Sequence, residues 1–191
     1  MIDIGNVVQK LNLNEGCIEG ANVKVRMLSE LKECFADTDA YNVAMDAGDR
    51  VVYSVSSIEP GGEDGGLHYG LGMIMPGKIG DEYFLTRGHL HSKRSAVEIY
   101  IGLKGKGTML LEDEDSGESR TVEFKENTVV YVPGYTAHRT YNIGNEPVLY
   151  LGIYAADAGH DYEAVREKNF NCVVTETGAG PEMKKRSDYL K

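Results

Sequence analysis

The chain has 191 residues, 41% hydrophobic and 26% charged, which suits one globular domain and excludes a disordered polymer. Twenty Lys and Arg against thirty Asp and Glu leave a net charge of −10, a field that repels nucleic acid and anionic lipid. No apolar run reaches the ~20 residues of a spanning helix, and the start Met1-Ile2-Asp3-Ile4-Gly5 lacks the basic n-region of a secretory leader. Cys17, Cys34 and Cys172 lie far apart and form no CxxC, so packed thiols in a reducing cytoplasm are expected rather than a disulfide or zinc framework.

In chain order, residues 23–27 read as a strand and 29–35 as a short helix with Ser29 as N-cap. Residues 37–49 are small and polar and read as a loop or arm. A strand follows at 50–58, then a glycine-rich loop over 60–66. From there short β-favouring runs come densely, at 67–75, 82–91, 98–103, 108–113, 120–124, 128–132, 137–142 and 148–155. Turn residues such as Gly105, Gly117, Pro133-Gly134 and Gly144-Asn145 separate them. A helix is expected over 161–168, and the charged tail 180–191 reads as frayed. The pattern predicts an all-β barrel as a single domain over 1–191, with an N-terminal arm (1–49), a barrel core (about 50–157) and a C-terminal helix and tail (158–191).

The chemistry concentrates in five histidines. Gly88-His89-Leu90-His91 puts two imidazoles on one face of a strand, since side chains alternate with period two. Glu98 opens the next strand and shares a face with Tyr100. His138 sits early in a later strand, just after the turn at Pro133-Gly134. Three imidazoles and one carboxylate suit a divalent transition metal, and a position left for water or substrate suits a catalytic site.

With these spacings the chain resembles the cupins, whose first motif is matched by His89, His91, Glu98 and Gly105 and whose second by Pro133, His138 and Asn142. Six residues rather than three or four separate His91 from Glu98. In this, and across residues 82–162, the chain is similar to the cupin-type glucose-6-phosphate isomerases of archaea and some bacteria. The run Asp157-Ala158-Gly159-His160-Asp161-Tyr162 is the most specific part of the likeness.

The resemblance implies a double-stranded β-helix (jelly-roll) cupin barrel with short peripheral helices, forming a cytoplasmic homodimer. The activity it implies is metal-dependent interconversion of glucose 6-phosphate and fructose 6-phosphate in glycolysis and gluconeogenesis. One divalent metal per subunit, iron(II) first with Mn²⁺, Ni²⁺ or Zn²⁺ as alternatives, is expected on His89, His91, Glu98 and His138. Glu98 is expected to transfer the proton unless a hydride shift takes its place, while His160 and Tyr162 serve ring opening or proton shuttling. Tyr53, Thr86, Gly88, Tyr100 and Tyr154 are expected to bind sugar or phosphate; Arg87, alternating away on a regular strand, is not. Gly72 stands where the resemblance leads one to expect a Thr at the phosphate.

Two other readings share the ligand set: an iron(II) cupin dioxygenase, and a cupin that binds sugar phosphate without turnover. Gly105-Lys106-Gly107 reads as a hairpin turn, the acidic stretch 112–118 as a solvated hairpin, and His68 as structural.

Overall fold

The computed structural model describes residues 7–61 and 65–189. The chain begins with two-residue strands β1 (Leu11–Asn12) and β2 (Cys17–Ile18), then β3 (Val23–Met27), a 3-10 helix (Leu28–Cys34) and α1 (Thr38–Asp46). The barrel strands follow as β4 (Val51–Ile58), β5 (Leu67–Ile74), β6 (Lys78–Ile79), β7 (Glu82–Tyr83), β8 (Glu98–Lys104), β9 (Lys106–Asp113) and β10 (Ser119–Lys125). After them come β11 (Val129–Val132), β12 (Thr136–Asn142), β13 (Val148–Ala155), α2 (Tyr162–Lys168), β14 (Cys172–Thr177), β15 (Gly180–Lys185) and a 3-10 turn (Arg186–Asp188).

A six-stranded sheet, β11-β8-β13-β5-β4-β3, and a three-stranded sheet, β10-β9-β12, form the barrel, with a four-stranded sheet β15-β14-β7-β6 beside it. Every strand pairing is antiparallel. This is the expected all-β cupin barrel. Alternation in β8 puts Glu98 and Tyr100 inside, while Ile99 is 38% exposed on the outer face. The barrel therefore turns polar side chains inward. Its apolar core lies partly beneath, where Leu28, Leu31, Phe35 and Tyr41 pack on Ile79, Phe84 and Leu85.

Four local expectations are corrected. Residues 37–49 hold α1, because Asp37 accepts a hydrogen bond from the Ala40 amide and caps it. The 3-10 helix has Met27 as N-cap, and Ser29 lies inside it with its hydroxyl donated to Asp49 at 2.7 Å. Only Glu82–Tyr83 of the predicted strand 82–91 is regular; the chain beyond touches the sheets through single bridges at Leu85, His89 and Leu90. The tail expected to fray supplies β15, paired along its length with β14, a strand the sequence pattern does not announce. The sheet also takes in β3, from the segment read as an arm. The opening Met1–Gly5, the centre of the 60–66 loop and the last two residues of the tail lie outside the described residues.

Candidate metal centre and substrate cavity

His89 reaches the site on an irregular segment held against β12. Its amide donates to the His138 carbonyl at 3.2 Å, and the His138 amide donates back at 3.1 Å. Leu90 is tied in the same way to Asp161. These bridges keep alternation locally, so His89 and His91 share a face although no regular strand carries them. Gly88 makes the approach possible: its φ is +77°, and a Cβ there would stand 2.8 Å from the His138 carbonyl oxygen.

The four expected ligands meet. Ligand atoms of His89, His91, Glu98 and His138 all lie within 4.8 Å of one another, and all four residues are buried. Glu98 Oε2 is the hub, 3.1 Å from His138 Nε2, 3.5 Å from His91 Nε2 and 3.6 Å from His89 Nε2. The Nδ1–H of His91 donates to the Gly159 carbonyl at 3.1 Å, and that of His138 faces the Thr136 carbonyl at 3.3 Å. Both contacts fix the tautomer that turns the Nε2 lone pair inward.

Electrostatics prepare the same set. Burial holds the His89 imidazole down at about 3, so it is neutral near pH 7. His91 is lowered by burial too. Burial alone would raise the Glu98 carboxyl, but the imidazoles of His138 and His89 close beside it outweigh that and hold the group below the usual carboxylate range. Neutral His89 and His91 imidazoles beside an ionised carboxylate are what a divalent metal requires. Nε2 of His89 and of His91 is buried without a hydrogen-bond partner among the described residues. Such orphaned acceptors are costly unless something binds them. The cluster can hold a metal.

It opens on a cavity of about 180 Å³. Strand register sets the cavity's two ends. Glu98 pairs with Tyr154 across β8 and β13, and Tyr154 with His68 of β5, giving the row at the cluster. Tyr100, Gly152, Gly70 and Ser57 form the next row; Tyr150, Gly72, Val55 and Lys24 the one after; Tyr53 and Arg26 lie in the row beyond. Rows on one face are ~6.7 Å apart. One end is thus the metal cluster, and the other carries Lys24, Arg26 and the Tyr53 phenol, all lining the cavity.

Lys24 and Arg26 are the residues the sequence reading missed. The signal is present, since β3 alternates Val23 and Val25 with the two cations. The face they occupy becomes meaningful only once β3 is placed at the end of the sheet.

The other expected contacts are in the cavity wall. Thr86 accepts from the Thr140 amide at 3.1 Å, which leaves its own O–H free to donate. The His160 ring sits 4.3 Å from His89, outside the ligand set, and stacks on Tyr162 at 5.7 Å and 8°. Burial lowers its pKa. Tyr154 meets His160 edge-on at 4.9 Å. The Tyr100 hydroxyl is 3.1 Å from His138 Nε2, so it belongs to the cluster as much as to the cavity. Burial pushes the Tyr53 phenol up to about 12, so it stays a donor. Arg87 turns away, donating to the Glu30 carbonyl at 2.6 Å. His68 bonds the Gly61 carbonyl at 3.1 Å.

A sequence model described as glucose-6-phosphate isomerase (GPI) matches residues 25–191. The glucose-6-phosphate isomerase of Thermococcus litoralis is 46% identical over 167 residues, 87% of each chain. That of Thermococcus kodakarensis is 48% identical over 166 residues, again 87% of each. A protein named putative glucose-6-phosphate isomerase 2 from Rhizobium meliloti is 38% identical over 180 residues, 92% of this chain and 90% of that one. The long gap before Glu98, the buried His₃Glu cluster and these matches lead to one conclusion: the chain belongs to the cupin-type glucose-6-phosphate isomerase family.

Proposed function

We propose that the chain interconverts glucose 6-phosphate and fructose 6-phosphate, with a divalent metal on His89, His91, Glu98 and His138. The observation that carries this is one cavity with a buried His₃Glu cluster at one end and two cations with hydroxyl donors at the other. An acyclic sugar phosphate has the matching polarity, a carbonyl and neighbouring hydroxyl at one end and a dianion at the other.

When bound, the metal supplies Lewis-acid polarisation of O1 and O2. Thr86, the Gly88 amide, Tyr53 and the Lys24–Arg26 pair hold the phosphate. Tyr100 and Tyr154 orient the reacting end. His160, kept neutral by burial, takes the ring hydroxyl proton, and the Tyr162 phenol stacked on it passes protons to the exposed side. Glu98 turns Oε2 to the three histidines. Its Oε1 lies over Gly152, where a Cβ would come within 2.9 Å, and so keeps access to the substrate's C1–C2 edge. A carboxylate held ionised by its neighbours is a weak base, which favours direct hydrogen transfer between C1 and C2 over an enediol. Turnover in D₂O separates the routes: product free of carbon-bound deuterium supports the direct transfer, and deuterium at C1 or C2 supports Glu98 as base.

Nitrogen donors favour iron(II), Mn²⁺, Ni²⁺ or Zn²⁺ over Mg²⁺ or Ca²⁺, and iron(II) is our first assignment. Exposed Ile99, Val129 and Tyr131 on the outer face of the six-stranded sheet support a homodimer. Three free thiols, Cys17, Cys34 and Cys172, support a reducing cytoplasm. Family membership favours the isomerase over a dioxygenase. Purified protein given fructose 6-phosphate should form glucose 6-phosphate, followed by coupling to glucose-6-phosphate dehydrogenase, without consuming oxygen. Oxygen uptake, or binding without turnover in metal-loaded protein, would overturn the reading.

A further inference from the structure

Gly72 and Tyr150 face each other directly across β5 and β13. Gly72 has no positive φ to explain it; its reason is space. A Cβ at Gly72 would lie 2.2 Å from Tyr150 Cζ and 2.5 Å from its hydroxyl oxygen. The phenol therefore crosses over the glycine and places its oxygen where a side chain at position 72 would begin. Tyr150 is 7% exposed and lines the cavity. Its ring is fixed by Tyr100 at 5.3 Å and Phe124 at 5.8 Å. Its hydroxyl makes no hydrogen bond with a described residue, and Tyr150 lines the cavity, so the donor is open to a ligand there. By register it stands in the row of Lys24 and Val55, next to that of Tyr53 and Arg26, and two rows from Glu98.

We infer that the Tyr150 hydroxyl is a phosphate-binding donor, and that the Gly72–Tyr150 pair supplies at this strand position the hydroxyl that residue 72 itself lacks. The inference rests on the sugar-phosphate isomerase reading. Burial keeps the phenol protonated across the working pH range, so it donates and never repels the dianion.

The experiment compares wild type with Tyr150→Phe, which keeps the ring and removes only the oxygen. Binding of fructose 6-phosphate and of inorganic phosphate is measured by calorimetry, alongside kcat, KM and Tm. A hydrogen bond to a charged group predicts a roughly tenfold or larger rise in Kd for both probes. KM should rise with it while kcat changes little, since the contact is made equally in ground and transition states. Tm should stay level, because the oxygen faces the cavity and makes no hydrogen bond with a described residue. Unchanged Kd for both probes overturns the assignment, as does weaker fructose 6-phosphate binding with inorganic phosphate unaffected, which would move the contact to a sugar hydroxyl. Loss of affinity accompanied by a large fall in Tm overturns it too, in favour of a packing role. Wild type that neither binds nor turns over fructose 6-phosphate would instead reject the isomerase reading itself.

Discussion

Glu98 Oε2 lies within 3.6 Å of three imidazole nitrogens, so the fold gathers the four ligands round one point. His138→Ala removes one donor and leaves the buried carboxylate short of its nearest partner. Metal content by mass spectrometry should fall with activity, the latter by more than the ~10–100-fold typical of losing a group behind the ligands. Full activity in metal-free variant protein would contradict the assignment. Thr86→Val keeps shape and removes the free O–H, so KM for fructose 6-phosphate should rise about tenfold with kcat nearly unchanged; equal KM values would remove Thr86 from the phosphate end. The metal cluster was legible in sequence because HxH, a spaced Glu and a His after a turn impose chemistry on almost any β framework. Lys24 and Arg26 were not, because which way a strand face looks is set by its neighbours and not by its own residues. Tyr150 was hidden for a related reason: its meaning depends on the glycine across the sheet.

The elements show the same division between local and tertiary causes. Strands β4, β5 and β8 to β13 were legible within a residue or two, as their alternation is punctuated by turn residues. The predicted strand 82–91 fails because Gly88 takes φ +77° to bring His89 against His138. Helix α1 was missed although Asp37 carries its cap, its composition being too polar to show an apolar stripe. Strands β14 and β15 needed each other as partners. Gly88→Ala tests the irregular segment. Strain in the left-handed region and contact with the His138 carbonyl should cost about 1–3 kcal/mol of stability and weaken metal binding, read by thermal unfolding with and without metal. An unaltered Tm and metal affinity would show that the segment tolerates a Cβ there.

Across the whole molecule, a polar interior has to be fastened to an apolar base, and Glu82 is part of that fastening. It is 1% exposed and accepts the Ala36 amide at 2.9 Å, tying β7 to the segment after the 3-10 helix. Burial raises its carboxyl to about 7. The folded protein therefore holds a proton that the unfolded chain releases near its ordinary pKa of 4.5. Stability from this group is complete below that value and is lost as pH rises through about 7. Glu82→Gln should flatten the decline in Tm between about pH 5 and 7.5 relative to wild type; parallel profiles would contradict it. The central claim concerns the metal and is tested most directly by chelation. Purified protein is assayed on fructose 6-phosphate, stripped with EDTA, and assayed again after iron(II), Mn²⁺, Ni²⁺ or Zn²⁺ is returned. Turnover should vanish with the metal and come back with at least one ion, at about one ion per chain. Undiminished turnover in protein shown to be metal-free would contradict the account.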